Sequence, residues 1–327
     1  MTSARRILAV LAAMAVGILS AADVRVGVIG TDTSHAIAFT RLMNVDHDPI
    51  CAGFRVTSAY QWGSRSIVSS TNRYPRYVKQ MREFGVRFTS SVAELLSEVD
   101  VVLLETNDGR EHLDQALEVF AAGKPVFIDK PIAASLADAM RIVDAARRSK
   151  ARFFSASSLR YMESAQAARA GAYGRVRGCQ TWTSTEYEPT HSRFFWYGVH
   201  GAEALFTVMG RGCVEVSCLS TDEDDVMTGR WTDGRLGSVR GIRGDGCGFG
   251  GTIFTYDHKP AIVDMGEWKG YRPLLVKIVE FFKTGVSPID PDETLEIFAF
   301  LEAAAQSCDR GGIAVRIADV MKQAGAK

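Results

Sequence analysis

The chain has no excess of one charge, because its 327 residues contain 38 lysine and arginine and 38 aspartate and glutamate side chains. A balance of this kind gives no electrostatic footprint for nucleic acid. Six cysteines are present, but the sequence lacks a CxxC motif and any cysteine and histidine spacing typical of zinc sites. Hydrophobic residues make up 46% of the chain, a composition too apolar for a disordered protein.

Long apolar runs are absent except near the N-terminus, where Arg5 and Arg6 precede an uncharged stretch from Ile7 to Leu19. Small residues follow at 20–22, so the pattern predicts a secretory signal peptide over residues 1–22. The run is too short for a comfortable transmembrane span. We therefore expect an exported, periplasmic or extracytoplasmic protein with no stable membrane span after processing. The paired arginines also permit the twin-arginine route. An uncleaved anchor and a misassigned start are the alternatives.

The remaining sequence has two parts that differ in the pattern of their apolar residues. Up to residue 156, continuous apolar runs alternate with amphipathic helices, which predicts a Rossmann-like parallel sheet covered on both faces, in a domain spanning 23–150. After about residue 175, strands separated by glycine or aspartate turns predict an α+β domain, 151–327, on an open-faced, largely antiparallel sheet. A C-terminal helix is expected to return to the first domain. An exposed sheet face of this kind favours a homo-oligomer.

Ligands of parallel sheets bind at the carboxyl ends of the strands, so segments 30–35, 60–64, 105–112 and 129–131 should converge. The first segment, GTDTSH, has Asp32 and His35 where G-x-G-x-x-G has its second and third glycines. A carboxylate beside a pyrophosphate is electrostatically unfavourable unless it is neutralised. Asp32 or Thr33 caps the next helix in one interpretation. In the other, Asp32 and His35 hold a different ligand, either hydroxylated or a metal.

The end of the second strand carries Gln61, which could hydrogen-bond a ribose, and then Ser64 and Arg65, which could meet a 2′-phosphate. A plain polar loop is the alternative interpretation. Further along, His112 begins a helix that faces the same crevice, or is a surface histidine.

Three residues are candidates for proton chemistry. Lys130 stands at a strand tip, where it can donate a proton to a developing alkoxide or orient a hydroxyl. His200 and Glu203 are three residues apart on one helix face, behind the aromatic segment 194–197. A histidine beside a carboxylate is suited to take a proton from a sugar hydroxyl, and the aromatic rings are suited to stack on the sugar.

These motifs resemble the Gfo/Idh/MocA family of oxidoreductases. The most specific are GKPVFIDKP at 123–131 and GVH at 198–200. The resemblance implies a nicotinamide-binding Rossmann domain joined to an open-faced sheet domain, with a sugar or polyol as substrate. It implies Lys130 as the lysine that orients the substrate and His200 as the acid/base. Asp129 replaces the usual glutamate, and Trp196 stands where many members have an aspartate. The cofactor, NAD or NADP, would be bound by Gly30, Thr31, Asp32, Ser34, His35, Gln61, Asn107 and Asp129.

We therefore expect an NAD(P)-dependent oxidoreductase acting on a sugar or polyol hydroxyl, and export would require its cofactor to be tightly bound. Catalytic roles are predicted for Lys130, His200 and Glu203, and no set of metal ligands is assigned. The alternative is a carbohydrate-binding protein, lyase or hydrolase on the same fold, with a lost nucleotide site. A scaffold that uses the open sheet face as an interface is the third hypothesis.

Overall fold

The structure is a computed structural model that describes residues 23–244 and 246–326. The predicted signal peptide, residues 1–22, lies outside the described residues. Within them, no helix combines the length and the apolar character needed to cross a membrane.

The first domain is built on a six-stranded parallel sheet in the order β3-β2-β1-β4-β5-β6. The order reverses between β1 and β4, which makes a crevice at the carboxyl ends of these strands. The predicted Rossmann-like parallel sheet is therefore confirmed. Its strands are β1 Val24–Ile29, β2 Phe54–Tyr60, β3 Arg87–Thr89, β4 Val101–Leu104, β5 Val126–Asp129 and β6 Phe153–Ala156. Its helices are α1 Ser34–Asn44, α2 Val68–Glu83, α3 Val92–Glu98, α4 His112–Ala121 and α5 Leu136–Ser149.

Short polar side chains set where three of these helices begin. The hydroxyls of Thr33, Ser91 and Ser135 accept backbone N–H groups in the first turns of α1, α3 and α5. Each satisfies a donor that has no partner within its own helix. The cap of α1 is Thr33 and not Asp32, whose carboxylate is used elsewhere.

The second domain contains a mixed seven-stranded sheet in the order β12-β11-β7-β10-β9-β8-β13. Only the β7–β10 pair is parallel, so the expected largely antiparallel sheet is confirmed. The strands are β7 Val176–Ser184, β8 Cys213–Ser220, β9 Asp224–Trp231, β10 Leu236–Ile242, β11 Gly250–Thr255, β12 Ile262–Asp264 and β13 Val315–Arg316. The helices are α6 Glu163–Arg169, α7 Gly198–Met209, α8 Arg272–Thr284, α9 Pro291–Asp309 and α10 Ile317–Gly325.

Helix α7 lies on one face of this sheet, and the close approach depends on Gly201. A Cβ at this position would lie 2.7 Å from the Val239 side chain. Every residue of α7 is buried, because the helix is enclosed by the sheet on one side and by α6, α9 and the segment after β6 on the others. The opposite face of the sheet is open.

The C-terminal part of the chain returns to the first domain through α8. Leu274, Leu275 and Ile278 pack into the same apolar cluster as Val26 and Phe39. Strand β6 pairs with β5, so the first sheet extends past the expected boundary at residue 150, to residue 156. These connections hold the tips of β1, β4 and β5 opposite the start of α7.

Candidate active site

A cavity of about 610 Å³ lies where the carboxyl ends of the first sheet face the start of α7. This volume is typical of a site for a small molecule. Both domains contribute to its wall, so it exists only because the two are packed together. The lining residues with titratable or amide groups include His35, Asn107, Asp129, Lys130 and His200.

His200 enters the cavity from the first turn of α7. Its Nδ1 atom lies 2.6 Å from the Ser157 hydroxyl oxygen, just beyond β6. That oxygen also accepts the Leu159 N–H, so the hydroxyl is held in place. Burial, together with the nearby charges of Lys130 and His35, holds the pKa of His200 well below its ordinary value. The imidazole is therefore neutral at neutral pH and able to accept a proton.

Lys130 approaches the same space from the end of β5. Its ammonium nitrogen lies 5.3 Å from the ring centre of Tyr197 and 5.8 Å from that of Trp196. Such contacts hold a cation over the face of an aromatic ring. Burial lowers the pKa of Lys130, which makes its proton easier to give up. Trp196 thus serves as one wall for this lysine.

Glu203 has a different environment from the one expected. Its carboxylate accepts the Arg160 Nε–H at 2.5 Å, and both side chains are only 2% exposed. Arg160 also donates to Glu293, which is held by Arg169 as well. Because His200 takes Ser157 as its partner instead, the expected His200–Glu203 pair is corrected. We assign Glu203 to an ion cluster that ties α7 to α9 and to the segment after β6.

A second titratable cluster lies at the strand tips. His35 Nδ1 is 2.7 Å from Asp129 Oδ1, and the Glu105 side chain lies beside this pair. Burial alone would raise the pKa of Asp129, but His35 outweighs it, and the pKa lies below its ordinary value. Burial and the Asp129 charge raise the pKa of Glu105 well above its ordinary value. Sequence reasoning did not select Glu105, which reads as the last residue of an apolar strand.

The segment after β1 keeps one feature of a dinucleotide loop. Gly30 has a φ of +87°, and a Cβ there would lie 2.4 Å from the Thr106 backbone nitrogen. Only glycine fits this close approach between two loops. The adjoining residues depart from the pattern. The backbone N–H of Thr31 donates to the Trp62 carbonyl oxygen at 2.9 Å, which ties this loop directly to the loop after β2.

Asp32 strengthens that connection. It is fully buried, and its two carboxylate oxygens accept the backbone N–H groups of Ser64 and Asn107, each at 3.0 Å. Burial raises its pKa in spite of these bonds. The Asn107 side chain in turn donates to Ser70, in the first turn of α2. The loops after β1, β2 and β4 are thus bonded to one another.

The other predicted cofactor residues are divided between the cavity and its surroundings. Ser34, on α1, lines the cavity and shares a hydrogen bond with the Tyr271 hydroxyl. Gln61 is half-buried after β2 and does not line it. Ser64 is buried and donates to Asp108, while Arg65 is exposed. Cofactor contacts at these positions stay predictions.

His112 is neither a surface residue nor a cavity residue. It is fully buried, with Nε2 2.7 Å from the Thr106 carbonyl oxygen and Nδ1 3.2 Å from that of Ile132. The imidazole therefore joins the loops that follow β4 and β5. This fixes the positions of Glu105 and Lys130 relative to each other.

Phe249, Trp268 and Tyr271 form an aromatic wall of the cavity. The sequence did not predict this wall, because the three residues become neighbours only in the folded chain. Trp268 packs edge-on against Tyr271 and Phe249, with ring centres 5.1 and 5.9 Å apart. Phe249 in turn contacts His200. Rings arranged around a polar centre suit a ligand that has C–H faces and hydroxyl edges.

Comparisons with known proteins agree with this architecture. Residues 24–157 match the model of the Gfo/Idh/MocA family, described as an oxidoreductase family with an NAD-binding Rossmann fold. Among curated proteins, none matches the sequence.

Solved structures resemble the chain over most of its length. A probable dehydrogenase from Thermotoga maritima is 17% identical, with 91% of this chain and 100% of that chain covered and a TM-score of 0.72. An oxidoreductase from Agrobacterium radiobacter, in complex with NAD⁺, L-tartaric acid and magnesium, is 15% identical, with 91% and 99% covered and a TM-score of 0.70. Scyllo-inositol dehydrogenase from Lactobacillus casei, with bound NAD(H) and scyllo-inositol, is 12% identical, with 90% and 99% covered and a TM-score of 0.69. At identities of 12–17%, these similarities show that the chain shares the fold of these proteins.

Proposed function

We propose that the protein is an oxidoreductase acting on a CH–OH group of a sugar or polyol, in keeping with the match of residues 24–157 to the Gfo/Idh/MocA oxidoreductase family. One observation carries the proposal. A buried, neutral histidine and a lysine, contributed by different domains, meet in one cavity of suitable size. One structurally similar protein is the scyllo-inositol dehydrogenase from Lactobacillus casei, which supports the substrate class.

His200 is the proton acceptor in this proposal. Its low pKa keeps the imidazole unprotonated, and Ser157 holds Nδ1, so Nε2 is the nitrogen available to a ligand. When Nδ1–H donates to Ser157, Nε2 is free to accept the proton of a substrate hydroxyl. The imidazolium formed in this way is the acid that returns the proton in the reverse direction.

Lys130 orients the substrate oxygen and stabilises negative charge on it. The rings of Tyr197 and Trp196 limit where the ammonium group can lie. Since burial lowers the pKa of Lys130, the group can also donate its proton to an alkoxide. The aromatic wall would receive the C–H face of the sugar ring.

The family implies NAD or NADP as the carrier that accepts the hydride. The described residues do not fit a dinucleotide lying across the first loop in the usual way. Asp32 already uses the N–H groups of Ser64 and Asn107, and Thr31 is bonded to Trp62. We therefore derive no step through the nucleotide.

The hydrogen bonds that join these loops also support the second candidate function, a lyase, hydrolase or carbohydrate-binding protein that works without a nucleotide. Lys130 and His200 would then perform acid and base chemistry alone. The two candidates share the cavity and its substrate class, and they differ in whether NAD or NADP binds.

A mass measurement separates the two candidates. The mature protein, purified after folded export, is compared by native and denaturing mass spectrometry, and then titrated with NAD and NADP. A resident or added dinucleotide at one per chain supports the oxidoreductase. A bare protein that binds neither overturns it and leaves the cofactor-free candidate, to be tested by glycan binding.

Variants then locate the chemistry. With a substrate in hand, His200→Asn and Lys130→Met should each lower kcat by about 10²-fold or more, a typical contribution of general acid and base groups. His258→Asn is the matched control, since His258 packs on Tyr173 and does not line the cavity. Equal activity in all three variants would contradict the assignment.

We also propose that the chain is exported with residues 1–22 removed, on the basis of the charge and apolar pattern there. N-terminal sequencing of the protein from cell fractions tests this. A concavity of about 740 Å³ on the open sheet face supports a homo-oligomer formed through that face. Light scattering would show a single-chain mass if that proposal is wrong.

A further inference from the structure

We propose that His35, Glu105 and Asp129 form a binding site for one divalent transition-metal ion of the Zn²⁺ class, at the inner end of the cavity. The proposal uses the cavity described above but does not rest on the redox function. Binding of the ion is measured without substrate or nucleotide, so each proposal can fail independently.

The three residues come from three neighbouring elements of the first sheet. His35 lies in the first turn of α1 after β1, Glu105 directly follows β4, and Asp129 ends β5. One donor atom from each lies within 4.8 Å of the other two. Donors that each bond one ion at about 2.0–2.2 Å in a tetrahedral site lie about 3.5 Å apart, so the three side chains would have to close in by about 1 Å at most to share one ion.

Glu105 supplies an independent sign of a missing partner. Its side chain is 0% exposed, and among the residues that the structure describes its Oε1 atom has no hydrogen-bond partner. Its Oε2 atom has only a long contact of 3.4 Å with the Thr33 hydroxyl. A buried carboxylate oxygen without a partner is costly, and here it lies beside a second carboxylate. A cation between Glu105 and Asp129 would remove both difficulties.

The donor set and charge also suit such an ion. Imidazole nitrogen and carboxylate oxygen are both ligands that Zn²⁺ takes, and three protein ligands leave a fourth position for water or substrate. Two carboxylates neutralise one divalent cation, so the buried site carries no net charge when the histidine is neutral. The ion would take the place of the proton now shared between His35 and Asp129.

Outer contacts already orient the ligands. The Lys130 backbone N–H donates to Asp129 Oδ1 at 2.8 Å, and the His35 ring packs edge-on against Tyr271 at 4.3 Å. Contacts of this kind fix the direction of metal ligands. His35 and Asp129 line the cavity, so a bound ion would be within reach of a hydroxylated ligand there and could polarise its oxygen.

The test uses the mature protein after treatment with a chelator. Zn²⁺ binding is measured by calorimetry, and Co²⁺ binding is measured by visible absorption. We expect one ion per chain and the ligand-field bands of protein-bound Co²⁺. Glu105→Gln and His35→Asn should each weaken binding at least about tenfold and abolish the bands. Glu186→Gln is the matched control, because Glu186 lines the same cavity but is not in the cluster.

Two results would overturn the proposal. One is a wild-type protein that binds no stoichiometric ion, in which case Glu105 and Asp129 are a carboxyl pair that shares a proton. The other is unchanged binding in both Glu105→Gln and His35→Asn, which would put the ion elsewhere. Circular dichroism of each variant checks folding, and should one variant not fold, the other and the wild-type Co²⁺ spectrum decide the matter.

Discussion

The assignment of Glu203 to an ion cluster makes a quantitative prediction about Arg160. Arg160→Met removes the guanidinium that lies between Glu203 and Glu293, and all three side chains are at most 5% exposed. Glu293 keeps Arg169 at 2.9 Å, so Glu203 is the carboxylate left without a cation. Breaking a buried pair by removing one member costs about 3–5 kcal/mol. We expect the free energy of unfolding to fall by about that amount.

The loss should depend on pH. Burial already raises the pKa of Glu203, and Arg160 opposes this. In the variant that opposition is gone, so the folded-state pKa rises further above the unfolded value. A group with a raised folded-state pKa contributes full stability below the unfolded pKa and loses it as pH rises through the folded one. Wild type and variant lose this stability equally up to the folded-state pKa of wild-type Glu203, so the destabilisation should grow only above that pKa, which itself lies above the ordinary glutamate value.

Urea unfolding followed by circular dichroism, at several pH values, measures both effects. Arg169→Gln is the matched control, since Arg169 is 38% exposed and a pair of that exposure contributes at most about 1 kcal/mol. Because Glu203 is assigned to the ion cluster, the Glu203→Gln variant should keep measurable enzyme activity, whether that activity is oxidation of a hydroxyl or cleavage. The reasoning is refuted if Arg160→Met costs no more than Arg169→Gln, or if Glu203→Gln abolishes turnover in a protein that stays folded.

Three other expectations follow from single contacts. Ser157→Ala leaves His200 Nδ1 without its partner, and urea unfolding should show a loss of about 1–3 kcal/mol; a change under about 0.5 kcal/mol would contradict the bond. Asp32→Asn puts an amide donor against the N–H group of Ser64 or Asn107 and should lower the free energy of unfolding by about 1–3 kcal/mol. An unchanged urea midpoint would mean that these two bonds do not stabilise the loops. The sulfurs of Cys218 and Cys308 lie 2.7 Å apart, so oxidised glutathione should convert the two thiols into a disulfide. Each thiol loses one hydrogen, and two molecules of reduced glutathione are released. Mass spectrometry should find two hydrogens fewer in wild type and not in Cys308→Ser.

Part of the candidate site could be predicted from sequence because it follows from local pattern. Lys130 and Asp129 stand directly after an apolar strand, and the carboxyl ends of such strands form the ligand edge of a parallel sheet. His200 lies in a recognisable motif at the start of a helix. Residues that obey such positional rules reached the cavity as expected.

The errors concern partners rather than positions. Glu203 was paired with His200 by helix spacing, but spacing shows only which side chains share a face. The actual partner, Arg160, is 43 residues away and belongs to another element. Asp32 was considered beside a ligand, whereas its carboxylate accepts backbone N–H groups from two other loops. The short strands β3 and β12 escaped prediction because three residues carry too little pattern.

What the sequence determined by itself is the succession of elements, because the period of apolar residues and the capping side chains act within a few residues. Tertiary structure alone decided which charges meet. His35, Glu105 and Asp129 are separated by 70 and 24 positions, and only the strand order β1-β4-β5 brings their donor atoms within 4.8 Å. Burial then sets their protonation, since the energy of a charge depends on the solvent and neighbours that the folded chain leaves around it.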